Sequence, residues 1–162
     1  MITSKSRYAL KIMMDLASHG DEAQQRRLDI SKRHGIPSDY MDHILASLRS
    51  AGLIESVRGR NGGLRLAKPA RSINAWEIFR AAESNLSPVA CIDSHIDCSI
   101  SPACISKGAW EEIFGALRQS LSSFNLHDLV AKHGRSDYTL AVADLAVAQE
   151  CKAPRKAPGV ML

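Results

Sequence analysis

The 162-residue sequence contains no apolar run close to the about 20 residues that a membrane-spanning helix requires. Its opening, MITSKSRYALKIMMDLASHG, interleaves charged and apolar side chains, so it lacks the continuous apolar stretch and small-residue cleavage site of a secretion signal. The expectation is a cytoplasmic protein with no membrane partner. No phosphate-cradling glycine motif opens a helix, neither G-x-S-x-G nor H-E-x-x-H occurs, and there is no internal repeat. No enzyme is expected and no catalytic residue is assigned. Cysteine is scarce as well, yet three of the four cysteines fall between Cys91 and Cys104. An odd cluster does not make a disulfide framework, and thiols stay reduced in the cytoplasm. The cluster therefore suggests metal or redox chemistry.

The length allows one domain with an appendage, and 45% hydrophobic with 23% charged residues is ordinary for a globular chain. Charge is unevenly spread. Residues 1–71 carry 13 Lys and Arg against 7 Asp and Glu, a net of +6; residues 72–162 carry 8 against 10, a net of −2. A basic first half suggests a polyanionic partner.

A first helix is expected from about Ser6 to Ser18, with Leu10, Met13, Met14 and Ala17 on its apolar face and Gly20 at its stop. A short second helix, LDISKRH, should end at Gly35. Pro37 and Ser38, the latter as N-cap, should open a third. Its Met41, Ile44, Leu45 and Leu48 follow helical spacing and should be buried. The opposite face offers Ser38, Asp39, Asp42, His43, Ser47 and Arg49. This pair matches a helix-turn-helix.

A hairpin should follow, with strands Leu53–Val57 and Leu64–Ala67 around a glycine-rich turn. A hairpin placed there is the wing of a winged helix. Arg58 and Arg60 at its tip suit the narrow minor groove of DNA. A fourth helix begins at a capping box of Asn74 and Glu77 and should end near Ser87 and Pro88. After the cysteines, Trp110, Phe114, Leu117, Leu121 and Phe124 form a heptad seam of about two repeats, read as a dimerisation helix. NLHDLVAKHG reads as a short helix, residues 139–150 as a weak one, and the end as disordered.

The expected fold class is mainly α with a small β-hairpin: a winged helix-turn-helix domain, a cysteine loop and a long dimerisation helix. The boundaries are 1–87 for DNA binding, 88–106 for the loop, 107–133 for the dimerisation helix and the short helix after it, and 134–162 for the tail.

Over about residues 1–130 the sequence resembles the Rrf-two family of winged-helix regulators, with its IscR-, NsrR- and RirA-like branches. The resemblance rests on TSKSRYAL, DISKRHGIP, YMDHILASLRSAGLI, SVRGRNGGLRLAKP, INAWEIFRAAE, the three cysteines and LHDLV. It implies a homodimeric transcription regulator, a repressor of promoters, whose DNA affinity follows an iron–sulfur cluster. By position, Ser38, Tyr40 and Asp42 would face the major groove, and Arg58, Gly59 and Arg60 the minor groove. Lys5 and Arg7 would meet phosphates. Cys91, Cys98 and Cys104 would be the cluster ligands. The chain departs from its relatives at the fourth ligand, having Lys107 where IscR-like proteins carry His and Arg7 where NsrR-like ones carry Asp. His95, Asp93, Asp97, Cys151, a small thiol or water are the candidates. Loss of that His favours 4Fe–4S over 2Fe–2S.

The gaps of six and five residues between these cysteines are looser than zinc-finger pairs. Thiolates are soft ligands for iron–sulfur clusters, zinc or copper(I). Two rivals stand beside the cluster reading: a cluster-free thiol-based redox regulator, and a non-DNA-binding cluster-assembly or electron-transfer protein. The arginine-tipped wing argues against the second.

Overall fold

A computed structural model describes residues 2–59, 62–83, 85–89, 92 and 104–134. Arg60, Cys91, Asp93, His95, Asp97, Cys98, Cys151, the 139–150 helix and the expected disordered end lie outside the described residues. Among those described, six α-helices surround one two-stranded hairpin. In order they are α1 Ser4–Ser18, α2 Arg27–His34, α3 Ser38–Ser50, β1 Ile54–Val57, β2 Gly63–Leu66, α4 Ala75–Ala82, α5 Lys107–Ser123 and α6 Leu126–His133. This is the expected winged helix-turn-helix class.

Thr3 caps α1, its hydroxyl accepting from the Lys5 amide at 3.0 Å, so the helix starts two residues before the expected Ser6. Its fully buried stripe is Ala9, Ile12, Met13 and Leu16. Leu10, Met14 and Ala17, expected to lead that face, are only partly buried on its flank. The apolar residues span two overlapping stripes, and the helices packed on α1 select one of them.

At eight residues, α2 is too short to hold itself in water. Ile30 anchors it in the core, a burial that contributes about 2 kcal/mol. Asp15 of α1 anchors it a second time. Its Oδ2 accepts from Arg33 Nη2 at 2.7 Å, and its Oδ1 lies 3.5 Å from His34 Nε2. Gly35 ends the helix with φ +60°, the left-handed exit that favours glycine.

In α3, Met41, Ile44, Leu45 and Leu48 are buried as their spacing predicts. Ser38 is not the cap, however. It lies inside the first turn behind Pro37, and no side chain caps this end. The hydroxyl is taken by a different partner, described below.

The hairpin pairs Ile54 with Leu66 and Val57 with Gly63 in antiparallel register, each strand one residue off its expected bounds. Gln25 adds a bridge to Leu64, with amide–carbonyl distances of 2.9 and 2.8 Å. A Cβ on Gly63 would sit 2.7 Å from the Gln25 carbonyl, so this close approach requires glycine.

The capping box of α4 is present, with Asn74 Oδ1 accepting from the Glu77 amide and Glu77 Oε2 from the Asn74 amide, both at 3.0 Å. The helix ends at Ala82, short of the expected Ser87. Glu83 turns instead to the start of α1. Its Oε1 accepts from the Thr3 amide at 3.1 Å, the Thr3 hydroxyl at 2.6 Å, and both donors of Ser6. A carboxylate there complements the unpaired amides and the dipole of α1. The chain then returns through α5 to α6, which joins the same core. Leu126 is fully buried, its amide donates to Ile73 at 2.8 Å, and the Phe124 carbonyl accepts from Ala75 at 2.9 Å.

Candidate nucleic-acid interface and cysteine segment

Burial of one face of α3 leaves Ser38, Asp39, Asp42, His43 and Arg49 exposed on the other. Arg27, from the start of α2, reaches across this face. Its Nη1 donates to Asp42 Oδ1 and its Nη2 to Ser38 Oγ. The hydrogen bond to Asp42 raises the Arg27 pKa above its ordinary value, and a guanidinium is charged at any working pH. Tyr40 is half-buried, its ring edge-to-face with Tyr8 of α1 at 5.8 Å between centroids. Arg7 and Lys11 lie 5.7 and 5.8 Å from the Tyr8 centroid. The two tyrosines thus join the first turn of α3 to a basic cluster at the start of α1, to which Lys5 belongs in sequence. Arg7 also donates to Ser4 Oγ at 3.0 Å.

At the wing, Arg58 and Gly59 are exposed. Gly59 has φ +123° and its carbonyl accepts from the Gly62 amide at 2.9 Å, closing the tip. The wing and α3 border one groove of about 410 Å³, whose lining includes Arg26, Arg27, Asp42, Arg49 and Ser56. Arg49 Nη2 donates to Ser56 Oγ at 2.8 Å and ties the recognition helix to the wing. Arg26 and Arg49, beside the Arg27–Asp42 pair, give this groove a concave, cationic path between helix and hairpin, a shape and charge suited to a phosphate backbone. Arg26 and Arg27 were not among the expected site residues. Their one sequence signal is the dipeptide itself, opening the helix that precedes the recognition helix.

Cys104 is the one proposed ligand among the described residues. It is partly exposed, two residues before Ser106 at the N-terminal boundary of α5. Its Sγ lies 3.4 Å from Ser106 Oγ. Hydrogen bonds from the Ser106 hydroxyl and amide, then the Lys107 amide and charge, outweigh burial and hold the thiol below its ordinary range. The lowered pKa enlarges the share of thiolate, the form that binds soft metals and reacts with oxidants. No group of three or more metal-ligating side chains occurs among the described residues.

No residue of α5 is buried. Phe114 meets Trp76 of α4 edge-to-face at 5.6 Å, and Arg118 lies 5.9 Å from the same indole. Ile113 and Leu117 remain exposed. They border an apolar groove of about 370 Å³ with Ile2, Leu86 and Trp110. Phe124, expected to close the seam, lies just past the helix end.

Residues 2–132 match the profile of the family described as Rrf2, an iron-dependent transcriptional regulator. Protein rrf2 of Nitratidesulfovibrio vulgaris is 33% identical over 129 residues, 80% of this chain and 86% of that protein. Among solved structures, CymR (YrzC), named the global cysteine regulator of B. subtilis, superposes with TM-score 0.64 at 30% identity. The match covers 82% of this chain and 97% of CymR. IscR of T. potens gives the same TM-score of 0.64 and 30% identity, covering 82% of this chain and 87% of its own.

Proposed function

The chain belongs to the Rrf2 family of helix-turn-helix transcriptional regulators, and from that premise we propose that it is a homodimeric, cytoplasmic repressor whose promoter affinity follows the state of an iron–sulfur cluster. The observation that carries the DNA half of this reading is the shared groove of α3 and the wing. Ser38, Tyr40 and Asp42 would address the major groove, and Arg58, Gly59 and Arg60 the minor groove beside it. Lys5 and Arg7, with Lys11, Arg26 and Arg49, would neutralise phosphates. Each phosphate neutralised releases counterions and steepens the salt dependence of binding. A dimer seated across a promoter denies it to polymerase, hence a repressor.

The cluster half is supported by the likeness to IscR of T. potens and by the partly exposed Cys104 thiol, whose pKa its neighbours lower. Cys91, Cys98 and Cys104 would supply thiolates, with His95 as a candidate fourth ligand and 4Fe–4S preferred. When bound, such a cluster supplies a redox- and iron-sensitive centre. The chain's own contribution is mechanical. The chain leaves α4 at Glu83, eight residues before Cys91, and Glu83 holds the α1 turn that carries Lys5 and Arg7. Strain passed along this stretch from the cysteines would reach that turn. A coupling of about 1–3 kcal/mol suffices for a switch.

A second reading is favoured by one observation: the partly exposed Cys104 thiol, whose pKa its neighbours lower, is open to direct oxidation. Anaerobic purification with iron and sulfide analysis separates the two. Stoichiometric iron and sulfide, with promoter affinity that changes when the cluster is stripped, supports the cluster. Colourless protein whose affinity changes only on thiol oxidation supports the alternative. Failure to bind any duplex, with or without iron, sinks both.

A further inference from the structure

Arg27 stands on α2, outside the recognition helix, yet one guanidinium engages two side chains of that helix at once. The Arg27 and Asp42 side chains are 33% and 58% exposed. An ion pair this open contributes little to stability, so the fold does not depend on it. Its consequence lies in which atoms remain available. A guanidinium only donates. The Ser38 oxygen that accepts from Arg27 must direct its own hydrogen elsewhere, and Asp42, with Oδ1 engaged, keeps Oδ2 for a second donor. Four residues apart, Ser38 and Asp42 share one face of α3. That face therefore presents a donor beside an acceptor, with the carboxylate charge compensated. Without compensation, the carboxylate would be repelled by the phosphates on either side of a groove. In the major groove an acceptor-only carboxylate matches the cytosine amino group, and a hydroxyl donor matches a purine N7, a guanine O6 or a thymine O4.

We propose that Arg27 is the positioning residue that sets base preference, fixing Asp42 as acceptor for a cytosine amino group and Ser38 as donor to a neighbouring base. This rests on the reading of α3 as the base-contacting helix.

The test selects duplexes from a random-sequence pool at one fixed salt with full-length wild type, Arg27→Met, Arg27→Lys and Asp42→Asn. Wild type should enrich cytosine at one position of each half-site. Arg27→Met should lower that preference about tenfold while its circular dichroism stays unchanged. Arg27→Lys keeps the charge without the fork, so it should recover overall affinity but not the cytosine preference. Asp42→Asn gains a donor and should move the same position toward adenine. Should Arg27→Met select the wild-type motif with undiminished strength, the positioning role is overturned while DNA binding stands. A wild type that enriches no duplex overturns the DNA reading itself, and this inference with it.

Discussion

Asp15 of α1 and Arg33 of α2 form an ion pair of 2.7 Å in which the carboxylate is only 7% exposed. Burial alone pushes such a carboxyl up, but here hydrogen bonding from His34 and Arg33 and their charge outweigh it. They hold Asp15 below the ordinary aspartate range. A carboxyl depressed by folding stabilises the protein fully above its unfolded value, about 3.9. That contribution is lost as pH falls through the lower folded value. Asp15→Asn should therefore be less stable at neutral pH, by about 2–3 kcal/mol, since Arg33 is left partly buried without its countercharge. The gap between wild type and variant should close below about pH 4. Urea titrations at a series of pH values measure both effects. A constant gap down to strong acid would mean that the Asp15 charge does not hold α2.

The wing should act on DNA without acting on the fold. Arg58 is exposed and Gly59 keeps the tip closed, so Arg58→Ala removes a cation and no packing. Affinity for a selected operator should fall several-fold, and the slope of log affinity against log salt should become shallower by about 1. Fluorescence anisotropy across a salt series reads both. An unchanged slope with unchanged affinity would take Arg58 out of the interface.

The exposed stripe of α5 makes a separate prediction. Since no residue of this helix is buried, Leu117→Glu should leave the monomer folded. Across a two-fold interface it would set an unpaired charge against an apolar partner surface, which is costly. Sedimentation should show a dimer for wild type and a monomer for the variant at micromolar concentration. A variant that remains dimeric places the interface elsewhere.

The winged fold was legible because its signals are local. Gly35, the Met41–Leu48 stripe, the Asn74–Glu77 box and the glycine-rich wing each act within a few residues. What escaped depends on distant partners. In α1, two overlapping stripes were equally good in sequence, and the packing of α4 and α6 decided between them. Ser38 has a cap-forming side chain, but a guanidinium 11 residues earlier claims it. Glu83 continues the helical pattern of α4, yet it serves α1 from 77 and 80 positions away. No window along the chain contains such a contact. The polar face of α3 was readable by residue type, whereas the Arg27 contacts to Ser38 and Asp42 exist only once α2 lies across α3.

The remaining prediction concerns the cysteines. Cys91, Cys98 and Cys104 share one stretch before α5, whereas Cys151 lies well beyond α6. A cluster needs soft ligands in close array, and thiolates from one short stretch can converge at small entropic cost, since closing a loop costs more as it lengthens. Lys107, an amine, offers no thiolate in place of a lost cysteine. Each single change of Cys91, Cys98 or Cys104 to Ala should therefore remove iron and sulfide together and abolish the visible absorbance rather than dim it. Cys151→Ala should leave all three unchanged. His95→Ala separates the remaining options: a shifted spectrum makes His95 the fourth ligand, and an unchanged one assigns that position to another group. Colour that survives in any of the three loop variants while Cys151→Ala is colourless would reverse the ligand set. If every variant and the wild type lack iron after anaerobic purification, the cysteines are sensors by their own oxidation. Promoter affinity should then respond to peroxide, and Cys104→Ala should blunt that response.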